Sequence, residues 1–150
     1  MKVLQNITGI QSRACTPDDI KGVVVPLIEP IAKLCYEPLG NHKNGALAIA
    51  HCQVTDQDPL RFFVLKEGVA VVNPKIQKRC GDSFRNLEGC MSFADRAMPF
   101  GVRRHRKIVV SFTSVEADGT TEDHSNAIID GELALIFQHE IDHFNGNHLA

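Results

Sequence analysis

Apolar positions change their spacing twice along this chain. Over residues 16–39, Ile28, Ile31, Ala32, Leu34 and Cys35 recur at helical intervals. Thr16-Pro17-Asp18-Asp19 offers a helix start and Pro38 a stop, so a helix is expected near residues 27–36. Beyond Gly40 the pattern turns to short β-rich runs at residues 46–54, 61–66, 69–73 and 107–115. Asp56-Gln57-Asp58-Pro59, Asn73-Pro74 and Asp118-Gly119 separate them as turns. From Asp130, an N-cap candidate, to Gly146, a stop signal, no proline intervenes, and Leu133, Phe137, Ile141 and Phe144 form one helical stripe. The expected architecture is α+β: antiparallel or mixed β-sheets packed around a central C-terminal helix, with an N-terminal helix, as a single domain over residues 1–150.

Composition narrows the partners. A formal charge of -2 and 43% apolar residues describe an ordinary globule with no overall basic excess, so DNA is not an expected partner. The opening MKVLQNITGIQSR lacks an apolar core and a small-residue cleavage site. No run reaches the roughly 18 apolar residues of a membrane span, so a cytoplasmic location without membrane attachment is expected. The five cysteines, at 15, 35, 52, 80 and 90, are odd in number and form no CxxC pair, which favours reduced thiols and leaves one free to act as a ligand. Arg103-Arg104-His105-Arg106-Lys107 is read as the solvated start of a strand in preference to a phosphate or RNA site, because the sequence shows no second basic cluster and no interleaved aromatics; contact with the ribosome or a peptide carboxylate stays open as the alternative.

The candidate chemistry sits in Gln138-His139-Glu140-Ile141-Asp142-His143. Two imidazoles one helical turn apart can bind one metal ion, with the intervening carboxylate as proton carrier. At about 100° per residue, Glu140 falls inside the apolar arc, where an unpaired carboxylate is costly unless it has work to do. A catalytic site of this kind takes a third protein ligand. Cys90, Cys52 or a distant Asp, Glu or His could supply it, and Cys90 stands out because Gly89 lets the backbone approach closely. His51 and Cys52 are expected on opposite faces of a strand, which argues against both facing one ion.

Glu88-Gly89-Cys90-Met91-Ser92 and the stretch from Gln138 to Gly146 together resemble the EGC-[LM]-S and QHE-x-DH-[LF]-x-G signatures of peptide deformylase. Ala46-Leu47-Ala48-Ile49-Ala50-His51-Cys52-Gln53 is a looser likeness to that family's G-x-G-L-A-A-x-Q, and Asn73-Pro74 falls where the family has an NP turn. The likeness runs from about residue 25 to the C-terminus.

The resemblance implies a metal-dependent hydrolase that removes the N-formyl group from formyl-methionine peptides and releases formate. It implies Cys90, His139 and His143 as metal ligands, Glu140 as general acid and base, and Gln53 with the Met91 backbone N–H as donors to the formyl oxygen. It also implies one divalent ion, Fe(II) in the cell and Zn, Ni or Co in purified protein, a weak or transient contact with the ribosome, and a monomer. Ala46, Ala48, Glu88, Leu135 and Ile136 are the expected substrate pocket, with Glu132 reaching solvent at its mouth.

Two departures stand out. Ala46 and Ala48 replace glycines of the family motif, and the sequence stops four residues after Gly146, a brevity reminiscent of phage-encoded and minimal deformylases. The alternatives are an HExxH metallopeptidase, with His148 as the one conventional third ligand C-terminal to the motif, and a non-catalytic metal-binding or ribosome-associated module.

Overall fold

A computed structural model describes residues 1–40, 42–93 and 100–147. Its five strands are β1 (Ala48–Ala50), β2 (Phe62–Leu65), β3 (Val69–Glu88), β4 (Phe100–Glu116) and β5 (Thr121–Asp130). They form one antiparallel sheet in chain order, and among the described residues no strand pair is parallel.

The side-chain period of two sorts the strand residues into two cores. Phe62, Val64, Ala70 and Val72 face helix α2 (Val25–Leu34), which buries Ile28, Ile31 and Leu34 against them. The intervening Phe63 and Val71, joined by Ala48, Ala50, Ile108 and Val110, face helix α3 (Gly131–Phe144). Phe137 meets Phe63 edge-on at 5.2 Å between ring centroids and Phe112 at 5.1 Å, which fixes the helix on the sheet by interlocking rings.

The N-terminal helical run begins earlier than its apolar period suggests. Thr16 closes a capping box, its Oγ accepting the Asp19 N–H at 3.1 Å while Asp19 accepts the Thr16 N–H at 2.8 Å. Helix α1 (Pro17–Asp19) passes through a π-helical turn (Ile20–Val24) into α2. Pro26 has no N–H to donate to residue 22, so a wider turn just before it loses no ladder bond there.

Four expectations change. The run at 46–54 is a strand only over Ala48–Ala50, then a 3₁₀ turn (His51–Gln53). Asn73-Pro74 does not end its strand: it forms a bulge between Val72 and Lys75, and β3 continues to Glu88. Asn73, at φ 51°, spends its amide on Cys15, accepting the Cys15 N–H at 2.8 Å and donating to its carbonyl at 3.0 Å. Strand β5 is an addition, and Leu133 is 40% exposed, its expected place in the core taken by Ala134.

Helix α3 ends as its sequence requires. Gly146, at φ 78°, takes the left-handed cap; its N–H bonds the His143 carbonyl at 3.1 Å and the Asn147 N–H reaches the Asp142 carbonyl at 2.9 Å. At the other end Asp130 occupies the cap position but makes no side-chain cap hydrogen bond. Among the described residues no helix is long and apolar enough to cross a membrane.

Candidate metal centre

Helix α3 carries His139 and His143 one turn apart, and the segment after β3 brings Cys90 to them. Ligand atoms of the three lie within 4.8 Å of one another. Cys90 Sγ is 3.4 Å from His143 Nε2, which is 3.2 Å from His139 Nε2. The second ring nitrogen of His139 is committed, since Nδ1 donates to Glu88 Oε1 at 2.8 Å. A carboxylate can only accept there, so Nδ1 carries a proton and Nε2 is the nitrogen left to face an ion on the side of Cys90 and His143.

Arg104 holds Glu88 in turn. Its Nε and Nη2 donate to the two Glu88 oxygens at 3.0 and 2.9 Å, and its Nη1 donates to Asp142 at 2.6 Å. With 5% of its side chain exposed, Arg104 corrects the reading of residues 103–107 as wholly solvated. Burial alone would raise the Glu88 pKa, but hydrogen bonds from His139, Arg104 and Asn86 hold it at about 2, keeping it ionised.

The field of this site favours positive charge. Burial by itself would depress His139, yet Cys90, Glu88 and Glu140 raise it to about 10. A cation shared by the three donors meets the same demand, and thiolate plus imidazole suits a soft first-row ion. Glu140, 4% exposed, leaves Oε2 buried with no hydrogen-bond partner, and burial pushes its carboxyl up to about 7. An orphaned carboxylate oxygen beside three converging donors fits a proton carrier for a bound ion's water.

The 3₁₀ turn after β1 delivers Gln53. Its Oε1 accepts the Ala50 N–H at 2.9 Å, which fixes the amide so that Nε2 points to Ser92 Oγ at 3.2 Å and Cys90 Sγ at 3.5 Å. The N-terminal segment braces both neighbours, with Leu4 N–H on the Gln53 carbonyl and Asn6 N–H on the Ser92 carbonyl, each at 2.7 Å.

His51 and Cys52 lie outside the cluster, on this turn rather than on a strand. His51 Nδ1 accepts the Leu60 N–H at 2.9 Å, and burial pushes the Cys52 thiol up to about 12. His148 falls outside the described residues.

A groove of about 420 Å³ opens at the site. Ala46, Ala48, Gln53, Glu88, Cys90, Met91, Leu135, Ile136, His139 and Glu140 all line it, as does Glu132, which is exposed. Further wall residues escaped the sequence reading, among them Asn86 and His42. Asn86 donates to Glu88 at 2.8 Å, and His42 leans on Gly89 so closely that a Cβ there would lie 2.8 Å from its ring. No motif marks His42; only Gly89, where a Cβ would crowd its ring, signals a close neighbour.

The polypeptide deformylase family model matches residues 42–150. Peptide deformylase of Thermotoga neapolitana is 34% identical over 89 residues, covering 57% of this chain and 50% of that protein. The chain therefore spans about half the length of such relatives. The crystal structure of peptide deformylase from Thermotoga maritima superposes with a TM-score of 0.70 at 25% identity, covering 97% of this chain and 94% of that one. A probable peptide deformylase from Synechococcus phage S-SSM7 has the same fold, with a TM-score of 0.76 at 23% identity over 99% and 97% of the two chains.

Proposed function

The chain belongs to the polypeptide deformylase family, and on that premise we propose that it hydrolyses the N-formyl amide of formyl-methionine peptides, releasing formate and a free amino terminus. The observation that carries this reading is the convergence of Cys90, His139 and His143 within 4.8 Å, next to a buried Glu140 oxygen with no partner. Cys90, His139 and His143 would hold one divalent ion, Fe(II) in the cell and Zn, Ni or Co when those replace it. When bound, the ion supplies Lewis acidity that polarises the formyl carbonyl and acidifies a water.

The remaining steps belong to the chain. Glu140 takes a proton from the attacking water as its oxygen bonds the formyl carbon, then returns that proton to the peptide nitrogen as the C–N bond breaks. Gln53 Nε2, whose orientation Ala50 fixes, and the Met91 backbone N–H donate to the formyl oxygen as it gains charge, each worth on the order of 3 kcal/mol. Leu135 and Ile136 offer an apolar wall to a methionine side chain, while Ala46 and Ala48 border the peptide backbone with Glu88 at the groove's base.

The family assignment also supports a cytoplasmic, monomeric enzyme whose catalytic domain occupies residues 1–150 and which meets the ribosome transiently. A metallopeptidase of the HExxH type takes its third ligand after the motif. Here the third donor, Cys90, precedes it by 49 positions in the numbering.

Formate release from a formyl-Met peptide by protein prepared anaerobically with Fe(II) tests the proposal. The wild type should release it and the Glu140→Ala variant should not. Absence of formate with wild-type protein that retains its metal would refute the assignment, and cleavage of an internal peptide bond would support the peptidase.

A further inference from the structure

Residues 1–12 contain no candidate ligand, proton carrier or oxyanion donor, yet they bond every segment that carries one. Leu4 donates its N–H to the Gln53 carbonyl and Asn6 its N–H to the Ser92 carbonyl, each at 2.7 Å. Between them Gln5 Nε2 donates to the Met91 carbonyl, also at 2.7 Å. Farther along, the Ser12 N–H bonds the Phe144 carbonyl at 2.9 Å, at the end of the helix that carries His139, Glu140 and His143. Apolar side chains seat the run: Val3 shares the α2 core with Met91, and Ile7 packs against Cys90. The segment is a strap across the supports of the site.

Gln53 and the Met91 N–H, the donors to the formyl oxygen in the reading above, come from segments 38 positions apart in the numbering. Their spacing sets whether one oxygen can meet both. Direct contact between these segments runs through Gln53 Nε2, on Ser92 Oγ at 3.2 Å and Cys90 Sγ at 3.5 Å. An amide nitrogen has two hydrogens, so a formyl oxygen draws one away from these contacts just when the spacing matters. The strap's bonds end on backbone carbonyls and are untouched by that exchange.

We propose that Gln5 is a positioning residue for the hydrolysis, because holding the Met91 carbonyl fixes the backbone whose N–H meets the formyl oxygen. Gln5 does not line the groove and acts through Met91. Leu4 and Asn6 hold their partners through main-chain N–H groups, so Gln5 is the contact that a side-chain substitution removes. Donors aimed in advance need no reorganisation as charge develops on the oxygen, so loosening Met91 should cost turnover more than binding. The inference rests on the proposed function, since only there does the Met91 N–H have an oxyanion to meet.

Wild type, Gln5→Ala, Gln5→Glu and Gln5→Lys, each loaded anaerobically with Fe(II), are compared on a formyl-Met peptide and on its thioformyl counterpart. Gln5→Ala and Gln5→Glu, which lack the donor, should lose about 10- to 100-fold in kcat, with KM within about twofold of wild type and metal content unchanged. Gln5→Lys, which restores an N–H donor, should recover part of the loss. On the thioformyl peptide, whose sulfur accepts hydrogen bonds poorly, the loss should shrink, an effect that a merely structural lesion does not produce. Urea midpoints check folding, and the nearly isosteric Gln5→Glu carries the test if Gln5→Ala does not fold. Wild-type kcat in both donorless variants, or an equal loss on the two peptides, overturns the proposal and leaves the deformylase reading standing. Wild-type protein that retains its metal and releases no formate overturns both.

Discussion

His139 and Glu88 are joined by a 2.8 Å hydrogen bond from Nδ1 to Oε1, so the tautomer of a candidate ligand is set 51 positions away from it in sequence. If that bond orients the ring for an ion, Glu88→Ala should weaken metal binding about 10- to 100-fold. Glu88→Gln, which keeps an acceptor oxygen, should lose less. Competition against a calibrated chelator measures both, and equal affinity in Glu88→Ala and wild type would separate this contact from metal binding.

Arg104 is the hub of that bond's support, bridging Glu88 on β3 to Asp142 on α3 from within the protein. Removing the guanidinium leaves an ionised, nearly buried carboxylate without its cation. Arg104→Met should therefore cost about 3–5 kcal/mol. Arg104→Lys should recover only part of it, because an ammonium cannot make the two-pronged contact with Glu88 and still reach Asp142. Urea unfolding of the metal-free proteins gives the comparison, and a loss below about 1 kcal/mol for the methionine variant would place this network with exposed ion pairs.

How much of this was readable in the sequence depends on distance along the chain. His139, Glu140 and His143 are legible because one helical turn relates them, and α3's end is legible because Gly146 is a local signal. Cys90 could be ranked first among candidate third ligands but not chosen by spacing alone; its flanking motif singled it out. Arg104 looked like one of four surface cations, and nothing local distinguishes it from Arg103. Its partners lie 16 and 38 positions away, and only the alternation of β4 decides which arginine turns inward. Strand β5 is absent from the expected β-rich runs because it is an edge strand with water on much of its surface. The bulge at Asn73-Pro74 was missed for a related reason. A proline usually ends a strand, but here the extra residues step the missing N–H out of register.

His51 gives the fold a pH dependence away from the metal centre. Burial lowers its pKa from 6.5 to about 4, and its neutral Nδ1 accepts the Leu60 N–H while the ring stacks on Phe62 at 4.7 Å. Between those two values the unfolded chain binds more protons at this site than the folded one. Its contribution to stability is therefore complete above about pH 6.5, falls as pH drops toward 4 and changes no further below that, for a total on the order of 3 kcal/mol. His51→Asn keeps an acceptor near Nδ1 and removes the titration. The stability difference between wild type and this variant should shift in the variant's favour on going from pH 7 to pH 4, as read by urea midpoints. A difference independent of pH would mean that His51 does not titrate as its burial demands.

Glu140 separates stability from chemistry in one residue. A buried carboxylate oxygen with no partner weighs against the folded state, so its presence in the core of α3 needs a compensating role. Glu140→Gln preserves volume and removes the charge while leaving Cys90, His139 and His143 in place. The metal-free variant should be at least as stable as the wild type, by up to about 1–3 kcal/mol, and should still bind the ion. Formate release should fall by about 10²- to 10⁴-fold, the typical contribution of a positioned proton carrier. Urea unfolding, metal content and formate production are measured on the same preparation. A variant that turns over normally would remove Glu140 from the proton path, whereas one that loses its metal would recast it as part of the ion's binding.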